Sequence, residues 1–385
     1  MKSSLTQARL LARPHRPSHS LPRAAASFRS VTAFLAVLLG GYLLGEILIF
    51  HSGFYARYLE PDMSATGYLE RILYSEVHRP RTGKKEVLVV GNSRMAEGFS
   101  AKIANEYKPR DGYWFVNFGV SGTGDRVWYY LVRDVDPHRD RYAAIVIPID
   151  DYNDPDDYED VADRASEMPL LTNRLRLTDI IPYTLSFTTW KSRLQVFRGA
   201  VFEAVTYQRD FQQFFEHPTR RLKRVADFRA QGARARYNYG GMAKTLAGLQ
   251  VDWANQHVTF PPGMSEDQQR DYESIFFSRP PQLGRNRAFE VRWLGALVDL
   301  YRNSKTRIII FQAPRSPAPR PVSLAHLPWT IVEELRKRPW VSVIDRDTFE
   351  DLERGEFFAD HVHLNSTGRK LFSPRLADAV EAHLP

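Results

Sequence analysis

The chain has no cysteine among its 385 residues, which excludes thiolate nucleophiles, cysteine-ligated zinc or iron–sulfur centres and any disulfide framework. It shows no internal repeat of fixed period. Acidic side chains are missing from residues 1–30, where six basic ones stand: Lys2, Arg9, Arg13, Arg16, Arg23 and Arg29. The rest of the chain carries 47 basic and 45 acidic side chains, so the formal charge of +8 belongs mainly to this terminal arm. A nearly neutral body gives no broad field for nucleic acid, and none is expected as a partner. With 43% hydrophobic and 25% charged residues the composition is that of a folded protein, of one large domain or two.

Long apolar runs are scarce too, with one exception. Residues 31–50 read VTAFLAVLLGGYLLGEILIF, twenty residues with the single charge Glu46. At about 1.5 Å per residue such a helix is roughly 30 Å long, the thickness of a bilayer's hydrocarbon core. The basic arm precedes it, so the positive-inside rule places the N-terminus in the cytoplasm and the body on the far side of the cell membrane, periplasmic or extracellular. The run exceeds a signal-peptide core and no small-x-small cleavage site follows, which favours an uncleaved anchor. Within it Gly41 and Gly45 form a G-x-x-x-G spacing beside Glu46. That face suits a partner helix, because small residues allow close approach and an intramembrane carboxylate requires a protein partner. The expected organisation is a basic tail (1–30), an anchor (31–50), a polar stalk (51–84) and a domain over 85–385.

Within the domain, short β-branched runs end in turn residues: 86–90, 114–118, 143–149, 307–312 and, more weakly, 341–344. Helical periodicity separates them, clearest over 288–301, where Val291, Leu294, Val298 and Tyr301 share a face. Strands alternating with helices predict an α/β fold with a doubly wound parallel sheet, flavodoxin-like in winding. Residues 163–287, rich in arginine and aromatics, break that rhythm and are expected as a largely helical insertion.

Four segments carry chemistry. In VLVVGNSR, Ser93 follows a strand and opens a helix, at the sheet edge where open α/β folds place ligands. There helix-terminal N–H groups face an anion, although an ordinary N-cap serine reads the same way. In NFGVSGTG (117–124) glycines free backbone N–H groups to meet an oxyanion, or simply make a βα turn. After the third strand come seven carboxylates between Asp150 and Asp160. The calcium-loop template fails there, since counting from Asp151 the sixth residue is Asp156 and the twelfth is Ala162; a solvated acidic loop is expected, and no metal. Last, in DHVHLNSTG (360–368) the D-x-x-H spacing sets Asp360 beside one imidazole nitrogen of His363 and leaves the other to a serine.

Together these blocks resemble the SGNH (GDSL-type) hydrolase superfamily over about residues 85–155 and 305–385. The resemblance implies Ser93 as nucleophile, though GNS replaces the family's GDS, with Asp360 and His363 completing the triad. It implies an oxyanion hole of the Ser93 and Gly122 amides together with an asparagine from the third block. Here that block reads DDYND, so Asn153 fills the role only if the turn holds an extra residue; otherwise Tyr152 falls there. A single N-terminal anchor before such a domain is similar to the membrane-anchored branch that acetylates exopolysaccharides or takes part in teichoic acid D-alanylation. This implies a serine acyltransferase or esterase acting on acyl groups, acetyl above all, of cell-surface or exported polysaccharide, without a cofactor and with a membrane acyl-transfer partner met through Gly41, Gly45 and Glu46. A non-catalytic SGNH-like glycan-binding or scaffold protein is the alternative from another class. Three further features are open to a functional or a plain structural reading. They are Arg94 next to the nucleophile, His361 as a substitute base, and the basic run Arg220, Arg221, Lys223, Arg224, Arg229, Arg234 and Arg236. Trp190, Trp253 and Trp329 are candidates for stacking on sugars.

Overall fold

In the computed structural model the described residues are 23–60, 65–107, 112–149, 161–231, 241–278, 287–317 and 330–385. The first strands and helices are α1 (Arg23–Gly45), α2 (Ala65–Val77), β1 (Lys85–Gly91), α3 (Ser93–Gly98), α4 (Ala101–Glu106), β2 (Tyr113–Gly119), α5 (Asp125–Val135) and β3 (Ala144–Ile149). The long excursion then supplies α6 (Met168–Leu171), α7 (Leu177–Thr184), α8 (Trp190–Val201), α9 (Glu203–Thr206), α10 (Gln208–Glu216) and α11 (Pro218–Gln231). A two-stranded antiparallel hairpin, β4 (Gln250–Asp252) with β5 (His257–Thr259), and α12 (Glu266–Ser278) complete it. The chain returns through α13 (Arg287–Asp299), β6 (Arg307–Gln312), α14 (Thr330–Leu335), β7 (Val341–Val343) and α15 (Ser366–Glu381).

Five strands form one wholly parallel sheet in the order β2-β1-β3-β6-β7. The strands are apolar on both faces because both are covered. Leu88, Val90, Ile145, Ile147, Ile308 and Ile310 face a core built with α2, α5, α13 and α14. The alternate residues Val87, Val89, Val146, Ile309 and Phe311 face α3, α4, α12 and α15. Since β2 lies on one side of β1 and β3 on the other, the winding reverses at β1, and the crevice at its carboxyl end is where such sheets receive ligands.

The helix from α1 is continued by a π-helical turn (Glu46–His51), and Val31–His51 is long and apolar enough to cross a membrane, with most of its surface uncovered. A Cβ at Gly41 or Gly45 would meet no described atom within 4 Å. Glu46, expected to offer its carboxylate to a partner helix, is buried within the chain, where one oxygen accepts from Ala204 N–H at 3.1 Å and the other has no hydrogen-bond partner among the described residues. Its own sequence neighbourhood gives no hint of this, because the donor opens α9, 158 positions away. Phe50, Tyr55, Leu59 and Tyr207 bury one another just beyond.

Residues 51–84, read from sequence as a stalk, contain α2, whose Leu69, Ile72 and Leu73 are buried in the main core. Its far end is clamped to the sheet: Arg79 donates to Glu76 and, at 2.6 Å, to both carboxylate oxygens of Glu86 at the start of β1. The helix expected after Ser93 breaks at Phe99–Ser100, where Ser100 Oγ caps α4 by accepting from Ile103 N–H.

Candidate active site

Ser93 is the first residue of α3, directly after β1, and is half-buried. Asn92 caps the helix, its side chain accepting from Arg94 N–H at 3.0 Å, so the cap role falls to Asn92 and the Ser93 hydroxyl is left for other work. Packing presses α3 against β2: a Cβ at Gly119 would strike the Ala96 backbone, so glycine is required where the two meet. Asn117 locks the contact, donating to Met95 O at 2.9 Å and Phe99 O at 2.6 Å and accepting from Gly119 N–H at 2.8 Å.

The loop after β2 is held at both ends. Val120 N–H donates to Gly91 O at 2.8 Å, Thr123 Oγ1 donates to Val120 O at 2.6 Å, and Trp128 Nε1 donates to Thr123. Gly124 stands near the carboxylate of Glu167, which is buried 3.7 Å from Arg126. Burial raises the Glu167 pKa, while Arg126 and the Gly124 amide oppose the rise. Between these anchors Gly122 has φ +73°, a left-handed conformation suited to glycine, and its surroundings are open. Among the described residues neither the Ser93 nor the Gly122 N–H meets an acceptor.

From the other end of the chain, Asp360 and His363 reach the same edge. Asp360 Oδ1 accepts from the backbone N–H of Val362 at 2.9 Å and of His363 at 2.7 Å, while Oδ2 pairs with His363 Nδ1 at 2.9 Å. The loop is tied down by Asn365, which caps α15 through Thr367 and Gly368 N–H and donates to Glu356 O. Leu364 lies 3.4 Å from where a Cβ on Gly98 of α3 would stand. His363 is within electrostatic reach of Arg94 and Glu97, one and four residues after Ser93. Its Nε2 is buried and makes no hydrogen bond among the described residues; nor does the Ser93 hydroxyl, so no hydrogen bond joins the two groups.

Burial pulls the His363 pKa down, but the hydrogen bond and charge of Asp360, followed by the charge of Glu97, outweigh it and raise the pKa above its usual value, against Arg94. Burial likewise favours neutral Asp360, yet His363 and the two backbone amides hold its carboxyl below the ordinary range. This is the electrostatic signature of an imidazole whose protonated form a carboxylate supports.

His361 is buried with its ring edge-on to Tyr272 of α12, centroids 5.7 Å apart, so it packs against the insertion. Three neighbours escaped the sequence reading: Glu97, the packing role of Asn117, and Tyr68 of α2, whose hydroxyl comes close to Ser121 beside Gly122. Only Glu97 carried a signal, its i, i+4 relation to Ser93. Arg94 is buried. Asn153, Tyr152 and the acidic run fall outside the described residues, as do Arg234, Arg236 and Trp329. Arg221 is buried between Glu60 and Asp210, whereas Arg220, Lys223 and Arg229 are exposed on α11. Trp253 packs on Phe276 and Phe277, and Trp190 is 76% exposed. Neither a protein-family model nor a curated protein matches the chain.

Proposed function

We propose that the chain is a membrane-anchored serine esterase or O-acyltransferase of SGNH type, acting on acyl groups, acetyl above all, of cell-surface or exported polysaccharide. The observation that carries this reading is the Asp360–His363 pair, whose unbonded and buried Nε2 lies on the same sheet edge as the helix that Ser93 opens. In the reaction the Ser93 hydroxyl attacks the acyl carbonyl as Nε2 takes its proton, and Asp360 holds Nδ1–H and steadies the imidazolium. The Ser93 and Gly122 amides supply the oxyanion donors, with Asn153 as the third candidate. The proton then passes to the leaving oxygen, and water or a sugar hydroxyl takes the acyl group from Ser93. Closing on substrate draws Nε2 and the Ser93 hydroxyl into a hydrogen bond, as unliganded catalytic pairs commonly require.

The unformed Ser93–His363 bond also favours a second reading, a non-catalytic SGNH-like glycan-binding or scaffold protein. Fluorophosphonate labelling of the full chain in detergent separates the two: covalent labelling that disappears in Ser93→Ala supports the enzyme, and equal labelling of both forms, or none, overturns it.

A further inference from the structure

Helices α7 and α8 each carry two apolar faces where a surface helix normally carries one. One face is inward, with Ile180, Tyr183, Val196 and Ala200 buried. The other is bare. Leu177, Ile181 and Leu185 stand at i, i+4, i+8 on α7 and its end, and Trp190, Leu194 and Phe197 at i, i+4, i+7 on α8, exposed by 39 to 77%. A continuous apolar surface of this kind marks an interaction site.

Contacts with the apolar span indicate what covers it. Phe202, at the end of α8, lies against Tyr42 with ring centroids 5.9 Å apart. Tyr42 precedes His51, the end of the span, by nine residues, roughly 13 Å along a helix. Val201 O is 2.9 Å from His51 Nε2, and Ala204 N–H reaches Glu46. The α8–α9 junction therefore stands beside the apolar run rather than above it. Wherever α1 crosses a bilayer, that junction is at hydrocarbon depth, and the exposed face of α8 continues from it.

The charge pattern agrees. On α8 there are Lys191, Arg193 and Arg198 and no acid, while the one carboxylate of α7, Asp179, is paired with Arg133 at 2.6 Å. Basic residues around an apolar stripe, with a tryptophan at one end, are the pattern of a helix lying in a membrane interface rich in anionic headgroups.

The geometry points to a lipid-embedded platform: the bare faces of α7 and α8 lie in the domain-side leaflet of the bilayer that α1 crosses. This rests on the membrane reading of α1 and goes beyond it, for it makes the insertion itself a membrane-contacting element. The same excursion sets Glu167 beside Gly124 and Arg126, so the platform fixes the crevice relative to the membrane.

The absence of cysteine makes the test clean. The full chain is reconstituted in vesicles of phosphatidylcholine and phosphatidylglycerol with a nitroxide on a single cysteine at Leu38→Cys, Leu194→Cys or Lys102→Cys, the last exposed on the opposite sheet face. Accessibility to oxygen and to a polar nickel chelate is then compared. The expected result is that Leu194→Cys matches Leu38→Cys, open to oxygen with loss of nickel access, while Lys102→Cys stays open to nickel. Nickel access at position 194 with protection at 38 overturns the platform and leaves the anchor standing; nickel access at both overturns both. Shielding of position 194 from both reagents shows a protein neighbour, a partner or a second copy, and overturns the lipid assignment. As a check without cysteines, brominated acyl chains should quench a component of tryptophan emission that disappears in Trp190→Phe; unchanged quenching counts against the platform.

Discussion

Replacing Asp360 by asparagine tests the site at one atom. In the native loop Oδ1 serves two backbone amides, those of Val362 and His363, and lies 3.1 Å from His363 Nδ1, while Oδ2 is the nearer oxygen to Nδ1 at 2.9 Å. The asparagine oxygen must stay with the two amides, because turning it away leaves both without an acceptor. The amide nitrogen then takes the place of Oδ2 and points hydrogen at Nδ1. The imidazole answers by presenting a lone pair at Nδ1 and carrying its proton on Nε2, and the base is gone. The structural loss is one charge-assisted hydrogen bond, worth about 1.5–3 kcal/mol, or a fall in Tm of several degrees for a domain of this size. The catalytic loss is expected to be about 10⁴-fold in kcat, which corresponds to about 5 kcal/mol of barrier. The assay is hydrolysis of p-nitrophenyl acetate by the full chain in detergent, with thermal melts on the same samples. Asp360→Ala serves as comparison: it strands both amides and should melt lower than Asp360→Asn. A folded Asp360→Asn that loses less than about tenfold, near 1.4 kcal/mol, would refute the assignment of His363 as base.

Four other outcomes are expected. Ester hydrolysis should fall on an acid limb centred above the ordinary histidine value of about 6.5, because the net shift at His363 is upward; a limb below it contradicts the pairing. The same upward shift makes His363 contribute stability that is full below about pH 6.5 and lost as pH rises through the folded value, so the Tm gap between wild type and His363→Gln should narrow with rising pH. Asn117→Ala removes the two hydrogen bonds that tie β2 to α3 and its end, and a third accepted from Gly119 N–H within β2, and should lower stability by about 2–4 kcal/mol in urea titrations, with Ser93 reactivity falling alongside; unchanged stability would show the tie to be dispensable. Cysteines introduced at Ser20 and Ala382 should differ toward an impermeant maleimide on intact cells with any outer barrier opened, only the second labelling, and labelling of the first alone would reverse the orientation.

The sheet was legible because strands covered on both faces are written as largely apolar runs, and all five of its strands coincide with such runs to within two residues. The Asp360–His363 pairing was legible because it is local, closed by a turn of four residues. What escaped is non-local. Tyr68 comes to Ser121 only through the packing of α2, whose mixed sequence reads as a polar connector. Glu46 finds Ala204 across 158 positions. Within the insertion expected as largely helical, the chain bends at Phe202 and Tyr207 because α8 ends at the span and α10 packs beside Tyr55, whose hydroxyl donates to Asp210. Periodicity identifies which faces are apolar, but it leaves open which of them meet.

The order in which the strands leave the ribosome poses a problem that the finished sheet conceals. β3 can pair with β1 as soon as both exist, but its other neighbour, β6, begins only at Arg307. At about 5–20 residues per second, residues 150–306 take roughly 8–30 s to synthesise. For that interval an entirely apolar strand, AIVIPI, presents a parallel edge with nothing beside it, the kind of template on which nascent chains join one another. Pro148 sits in this strand, beyond the last residue paired with β1, and in the native register it faces Phe311. Pro148 does not blunt that edge: paired with Phe311, it turns its ring nitrogen away from β6 and leaves the edge as open to an invading strand as to β6. The half-made sheet therefore carries a bare apolar edge until β6 is made, a hazard separate from anything the completed crevice performs.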